Sequence, residues 1–377
     1  MAADYRDPPR AALQTLITNH EPLLELAAEL QGARAIALDT EFLRERTYRA
    51  ELCLLQIATA DQAVCVDPLA LASLDPLAPA LAPASQSHST PLKVMHASRQ
   101  DIEVLLPAVG LVRPVFDTQI AAALAGFPAQ IGYGELVRRI LGVELAKAHT
   151  RADWSARPLS DDKIAYALDD VRYLVPLQEH LTAELERMGR SAWLAEELAA
   201  LADAREYTVE PRDAWRRLKG LAALDADRAR LAREIAAWRE QRASERNRPR
   251  GWILEDAVLR EIILAAPRSA AELAAIPGMP SAVAKHCGGE ILERIRAADL
   301  PEALPPLNLR RNSDPRKLDV LKRLAQIHRS IAADLALSPE VLATRRDLEQ
   351  LAGGREDNPL LQGWRRAIIG ERLLAAL

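Results

Sequence analysis

The chain has 377 residues, of which 49% are apolar and 27% charged. That is the make-up of a folded protein of two or three domains, and it excludes a disordered chain, a collagen-like fibre and a small disulfide scaffold. The net charge of −4 hides an asymmetry: residues 1–200 carry −9 and residues 201–377 carry +5. An acidic half joined to a basic half fits carboxylates gathered in one domain and polyanion contact in another. No uncharged stretch exceeds 17 residues, and the one at 118–134 is broken by Gly126 and Pro128. It falls short of the roughly 20 apolar residues that cross a bilayer. The opening segment MAADYRDPPR has no apolar run behind a basic start, and the three cysteines, Cys53, Cys65 and Cys287, are far apart. A cytoplasmic protein without a disulfide framework or thiolate zinc site is therefore expected.

The first 200 residues alternate between two periodicities. Short runs rich in β-formers predict strands at 16–18, 35–38, 52–59, 64–66, 92–95 and 115–116. Helices are predicted at 21–30, 100–106, 119–124, 133–141 and 161–188, with Asn19 and Ser160 as N-caps. The Pro/Ala/Ser-rich stretch 79–91 reads as a loop. This is an α/β domain with a mixed sheet, assigned to 1–205. Beyond it the strand signal ends. Short amphipathic helices at 215–218, 231–238 and 258–264 form a second domain, 206–300. A Pro-rich linker at 300–306 leads to a third helical group, 301–377, with helices at 315–336, 339–351 and 358–374.

Three local features carry chemistry. In Ala35-Ile36-Ala37-Leu38-Asp39-Thr40-Glu41 an apolar strand runs into two acids two residues apart. If the strand continues, Asp39 and Glu41 share one face, repel each other and need a cation or a raised pKa. If it ends at Leu38, both acids sit in a wet loop. In His96-Ala97-Ser98-Arg99-Gln100-Asp101 a strand leads into a helix whose first turn carries Asp101, where the helix dipole alone would favour an acid. In Tyr166-Ala167-Leu168-Asp169-Asp170 the tyrosine and Asp170 lie at i and i+4 and share a helix face, whereas Asp169 points to solvent. Taken together, Asp39, Glu41, Asp101 and Asp170 form an oxygen-only set suited to Mg²⁺ or Mn²⁺. Two such ions can hold both oxygens of a phosphodiester displacement. Tyr166, with an ordinary pKa near 10, suits orienting a water better than deprotonating it.

The pattern Asp39-x-Glu41, then Asp101, then Tyr166-x-x-x-Asp170 resembles the DEDD exonuclease superfamily, Tyr-bearing branch. The flanking segments DTEFLRERTYRAELCLLQIAT (39–59), HASRQDIEVL (96–105), VFDTQIAAAL (115–124) and RADWSARPLSDDKIAYALDDVRYL (151–174) are similar to the bacterial ribonuclease D family. The resemblance implies a ribonuclease H-like α/β fold with a mixed sheet flanked by helices. It also implies a two-metal 3′–5′ exoribonuclease that releases nucleoside 5′-monophosphates, notably from tRNA precursors. Asp39, Glu41 and Asp170 would hold one ion, Asp39 would bridge to the second, Asp101 would support the second, and Tyr166 would position the water. Phe42, Leu43 and His96 are the expected substrate contacts. The acids alone do not separate RNA from DNA, so a 3′–5′ exodeoxyribonuclease of repair or proofreading is the alternative.

Residues 215–256 resemble the helicase-and-ribonuclease-D C-terminal (HRDC) domain, an all-α nucleic-acid-binding module, and 310–377 resembles a second, diverged copy. Arg239, Arg242 and Arg246 follow i, i+3, i+7 spacing and are the expected phosphate contacts. The acids Glu234, Glu240 and Glu245 among them offer internal pairing instead. The expected partner is RNA with a structured 3′ end, with no membrane and a monomeric chain.

Overall fold

A computed structural model describes residues 16–85, 90–146, 152–219, 224–298 and 315–377. The linker expected at 300–306 lies outside the described residues, as does part of the 79–91 loop. Two compact units are formed. Of the described residues, one contains those up to Phe42, those within Leu52–Tyr207 and 315–377; the other contains Leu43–Glu51 and those from Thr208 to 298.

The first unit is built on a six-stranded mixed sheet of order β1-β4-β3-β2-β5-β6. Its strands are β1 (Leu16–Ile17), β2 (Ala35–Leu43), β3 (Glu51–Ala58), β4 (Ala63–Val66), β5 (Leu92–Met95) and β6 (Val115–Asp117). β3 and β4 run antiparallel, while β2, β5 and β6 run parallel to one another. Ile36, Ala37 and Leu38 are buried in succession, as expected of a central strand covered on both faces. The last β2–β5 pair is Ala37 with Val94. β2 then runs on for six residues, so Asp39 and Glu41 stand on extended strand and not in a loop.

The predicted helix over 161–188 is two helices, Asp161–Arg172 and Leu174–Arg187, separated at Tyr173. Ser160 caps the first through the Lys163 amide as expected, whereas Asn19 makes no side-chain cap bond. The helix Ser191–Leu201 was not anticipated. It receives the C-terminal helices, whose apolar residues share a core with the sheet side of the unit. Trp364 stacks on Trp193 with ring centroids 4.5 Å apart, and its backbone amide donates to Glu196 (2.8 Å). Gly126, at φ +97°, sits where a Cβ would meet the Ala336 carbonyl at 2.9 Å, so only glycine permits that approach. The helices expected as a separate domain over 301–377 thus pack on the α/β core.

From Thr208 on, the described elements of the second unit are helices, with Ala226–Glu245 as the spine and Asp256–Ala265 and Ser281–Ala297 packed on it. It also holds the segment that follows β2. Tyr48 joins this core, its hydroxyl donating to Glu240 (2.5 Å) and its ring lying 4.8 Å under the Arg250 guanidinium.

Lys93, on β5, is the largest fully buried side chain. Its Nζ donates to the Ala80 and Pro91 carbonyls (3.2 and 2.7 Å). Burial, reinforced by the Arg113 charge, lowers its pKa to about 7. In the unfolded chain the value is near 10.4. Between these limits the folded state binds fewer protons, so Lys93 makes stability rise with pH, and its full penalty is present below about pH 7. Lys93→Met should remove that slope, which reaches at most about 1.4 kcal/mol per pH unit. Urea unfolding of both proteins across pH 7 to 10 checks this; parallel pH curves would contradict it.

Candidate active site

The four acids converge at the carboxyl-terminal ends of the parallel strands, where open α/β sheets place their ligands. Asp39 and Glu41 lie on β2. Asp101 lies in the first turn of helix Arg99–Val109, which follows β5. Asp170 projects from helix Asp161–Arg172, one turn after Tyr166. Burial, then the charges of Asp101, Asp170 and Glu41, pushes the Asp39 carboxyl well above the usual carboxylate range. Burial, then Asp170 and Asp101, raises Glu41 to about 8. Burial raises Asp170 to about 7, with the neighbouring Asp169 adding to the effect. Burial lifts Asp101 to about 6 against the opposing hydrogen bond from Thr40. The two acids of β2 feel the other two, so the carboxylates share one field. Among the described residues no group of three or more His, Cys, Asp or Glu side chains is placed so as to hold a metal ion.

The donor set nevertheless fits a dication: four oxygen acids crowded together gain from a hard positive charge between them. Tyr166 hydrogen-bonds Asp170, and burial together with the charges of Asp170, Glu41 and Asp39 raises its pKa. Its hydroxyl stays protonated at neutral pH and acts as a donor. Asp169, expected in solvent, is half-buried and pairs with Arg172 (2.5 Å).

Several residues that hold this geometry gave no signal in the sequence. Thr40 donates to Asp101 Oδ1 (2.5 Å), tying β2 to the Asp101 helix. Asp117, buried at the end of β6, accepts from the Ala97 and Ser98 amides (3.2 and 2.7 Å) and the Ser98 hydroxyl (2.8 Å). It also caps helix Thr118–Leu124 through the amides of Gln119 and Ile120. Trp154 stacks on Tyr166 at 6.2 Å. Its loop is fastened by Arg157, whose guanidinium forks onto Asp67 (2.6 and 2.7 Å) and reaches the Cys53 carbonyl (2.7 Å).

Tyr133 explains the break at Tyr173. Its hydroxyl donates to the Asp169 carbonyl (2.9 Å) and accepts from the Tyr173 amide (3.2 Å). Those are the two ends of one i→i+4 helical bond, so the hydroxyl is inserted into the ladder, a known cause of kinks. Helical periodicity continues through this point, which is why the sequence predicts one helix. Tyr133→Phe should cost about 1–2 kcal/mol, because the bridged groups lose a buried partner. It should also lower kcat a few-fold with KM little changed, through displacement of Asp170. Unchanged unfolding and kcat in the variant would contradict this role.

Phe42 and Leu43 continue β2 beyond Glu41 and are half-buried, leaving open surface at the strand end that carries the acids. His96 is engaged by the fold: its ring nitrogens contact Thr118 Oγ1 (2.9 Å) and the Ile131 carbonyl (3.0 Å). Both ring nitrogens are thus taken up within the fold. The expected arginine face is corrected. Arg239 is buried on Asp256 (2.6 Å) and the Leu254 carbonyl, and Arg242 pairs with Glu290 (3.1 Å). Only Arg246 of the three is exposed. Their partners are acids of neighbouring helices and not the acids interleaved on the same helix, because the spine helix packs that face against Asp256–Ala265 and Ser281–Ala297.

A 3′-5′ exonuclease family model matches residues 14–186, and an HRDC domain model matches residues 228–295. Ribonuclease D of Gluconacetobacter diazotrophicus is 40% identical over 96% of this chain and 92% of its own length. Ribonuclease D of Zymomonas mobilis is 37% identical over 97% and 94%. The crystal structure of Escherichia coli RNase D, described as an exoribonuclease involved in structured RNA processing, matches with a TM-score of 0.86. That match has 31% identity and covers 97% of this chain and 99% of that one. With this order of acids on this sheet, and relatives aligned along nearly its whole length, the chain belongs to the ribonuclease D family of divalent-metal-dependent 3′–5′ exoribonucleases.

Proposed function

We propose that this protein hydrolyses RNA from the 3′ end by a two-metal mechanism, releasing nucleoside 5′-monophosphates, with tRNA precursors among its substrates. The observation that carries the reading is the shared field of Asp39, Glu41, Asp101 and Asp170. Four acids, Asp101 buried and the other three half-buried, held together against their own repulsion make sense as a cage for divalent cations. Asp39, Glu41 and Asp170 would hold one Mg²⁺ or Mn²⁺ and Asp39 would also face the second, with Asp101 supporting it directly or through water. When bound, such ions activate a water and take up charge on the leaving oxygen.

The remaining work falls to the chain itself. Tyr166, kept protonated and fixed between Asp170 and Trp154, orients the attacking water. Phe42 and Leu43 offer an apolar surface for the terminal nucleotide. The water oxygen bonds to phosphorus, the bond to the 3′ oxygen of the preceding nucleotide breaks, and that oxygen takes a proton. The helices of 315–377 are read as a diverged HRDC-like module seated on the nuclease core through Trp364. A cytoplasmic monomer completes the reading; among the described residues no helix is long and apolar enough to cross a membrane.

The test is product analysis on a 5′-labelled RNA and a matched DNA, each with Mg²⁺ and with Mn²⁺. Stepwise shortening of the RNA with release of nucleoside 5′-monophosphates is expected. Internal cuts or 3′-phosphates would refute the mechanism. Equal or faster cleavage of DNA would favour the exodeoxyribonuclease alternative, since the two strands differ at the 2′-hydroxyl.

A further inference from the structure

The chain has six tryptophans, all among the described residues, and five of them are buried or half-buried. Trp252 is 60% exposed. It does not hang from a loose loop. The Trp252 amide donates to the Pro249 carbonyl (2.9 Å) and the Arg248 amide to the Ala243 carbonyl (3.0 Å). Arg250 forks onto buried Glu240 (2.5 and 2.6 Å), and the Asn247 side-chain oxygen accepts from the Tyr48 and Arg49 amides (3.2 Å each). A rigid turn therefore presents the largest apolar side chain to water.

Its surroundings select a partner. Arg248 lies 5.7 Å from the centre of the Trp252 ring, and Arg246 and Arg248 are both exposed. No acid occurs between Glu245 and Glu255, and Arg250 in that span is already neutralised by Glu240. Among the described residues Arg246 and Arg248 form no ion pair. An indole face beside the unneutralised Arg248, with exposed Arg246 two residues earlier in the chain, is complementary to a single-stranded nucleic acid, in which an apolar base alternates with an anionic phosphate.

We infer that Trp252 is a stacking platform for an unpaired base of the RNA substrate, with Arg248 and Arg246 holding the adjacent phosphates. The inference rests on the exoribonuclease reading and adds a contact to it that is remote in sequence from the catalytic acids.

The experiment uses the full-length chain and a fluorescently labelled single-stranded oligoribonucleotide, bound in EDTA so that no turnover occurs. Trp252→Ala should weaken binding about 5- to 100-fold, the range of one base stack. Trp252→Phe should recover most of it. The salt dependence should stay as in wild type for Trp252→Ala and become shallower for Arg246→Ala. An oligomer with abasic positions should bind wild type and Trp252→Ala alike. In steady-state hydrolysis, Trp252→Ala should raise KM and leave kcat unchanged. Wild-type affinity in Trp252→Ala would overturn the proposal. A wild-type protein that releases no nucleoside monophosphates would instead overturn the exoribonuclease reading, whatever Trp252 does.

Discussion

Asp39→Asn should abolish turnover and, in mildly alkaline metal-free buffer, make the protein more stable. Asp39 is pressed by burial and by three neighbouring acids, which is why its pKa is raised. Once all four acids are ionised, removing one charge relieves that repulsion. A gain of about 1–3 kcal/mol in urea unfolding is expected, as at other sites that trade stability for function. The cost appears in the chemistry. A residue that would face both cations cannot be exchanged for a neutral amide without losing several kcal/mol of transition-state stabilisation, or at least about 1,000-fold in kcat. Each half is measured separately, by stopped release of mononucleotide and by denaturant titration. A variant that loses activity by unfolding, or that keeps wild-type kcat, would contradict the account.

Asp117→Ala should be among the most destabilising single changes in the first unit. One carboxylate there satisfies four backbone amides and a hydroxyl. Ala97 sits at φ +55° beside it, a left-handed conformation that a non-glycine residue adopts at a cost. Truncation strands those donors in a buried place and releases the strained turn, so a loss of about 3–5 kcal/mol is expected. Asp117→Asn keeps the helix cap, because asparagine is as good a capping residue, but replaces one acceptor with a donor facing the Ser98 amide. It should fold with a smaller loss and reduced activity, since Asp101 begins three residues after Ser98. Chemical denaturation of both variants checks the order; a loss below about 1 kcal/mol for Asp117→Ala would contradict the assigned role.

The acids were legible because charge on an apolar strand is costly and therefore conspicuous, as at Asp39 and Glu41 after Ile36-Ala37-Leu38. Their partners were not. Thr40, Asp117 and Tyr133 act across gaps of tens of residues, and nothing in local periodicity reports a hydroxyl inserted into a distant helix. The same limit explains the arginines. Spacing places Arg239 and Arg242 on one face, but only the packing of Asp256–Ala265 and Ser281–Ala297 shows that this face is internal. The domain plan was legible in its α/β-then-helical order, while the return of the C-terminal helices to the sheet depends on Trp193 and Trp364 meeting.

Titration of Mn²⁺ into the metal-free protein, followed by calorimetry in parallel with Asp39→Asn, tests the central claim most directly. Two ions should bind per wild-type chain, and at least one of them should be lost in the variant. No saturable binding by the wild type, or identical binding by the two proteins, would contradict it.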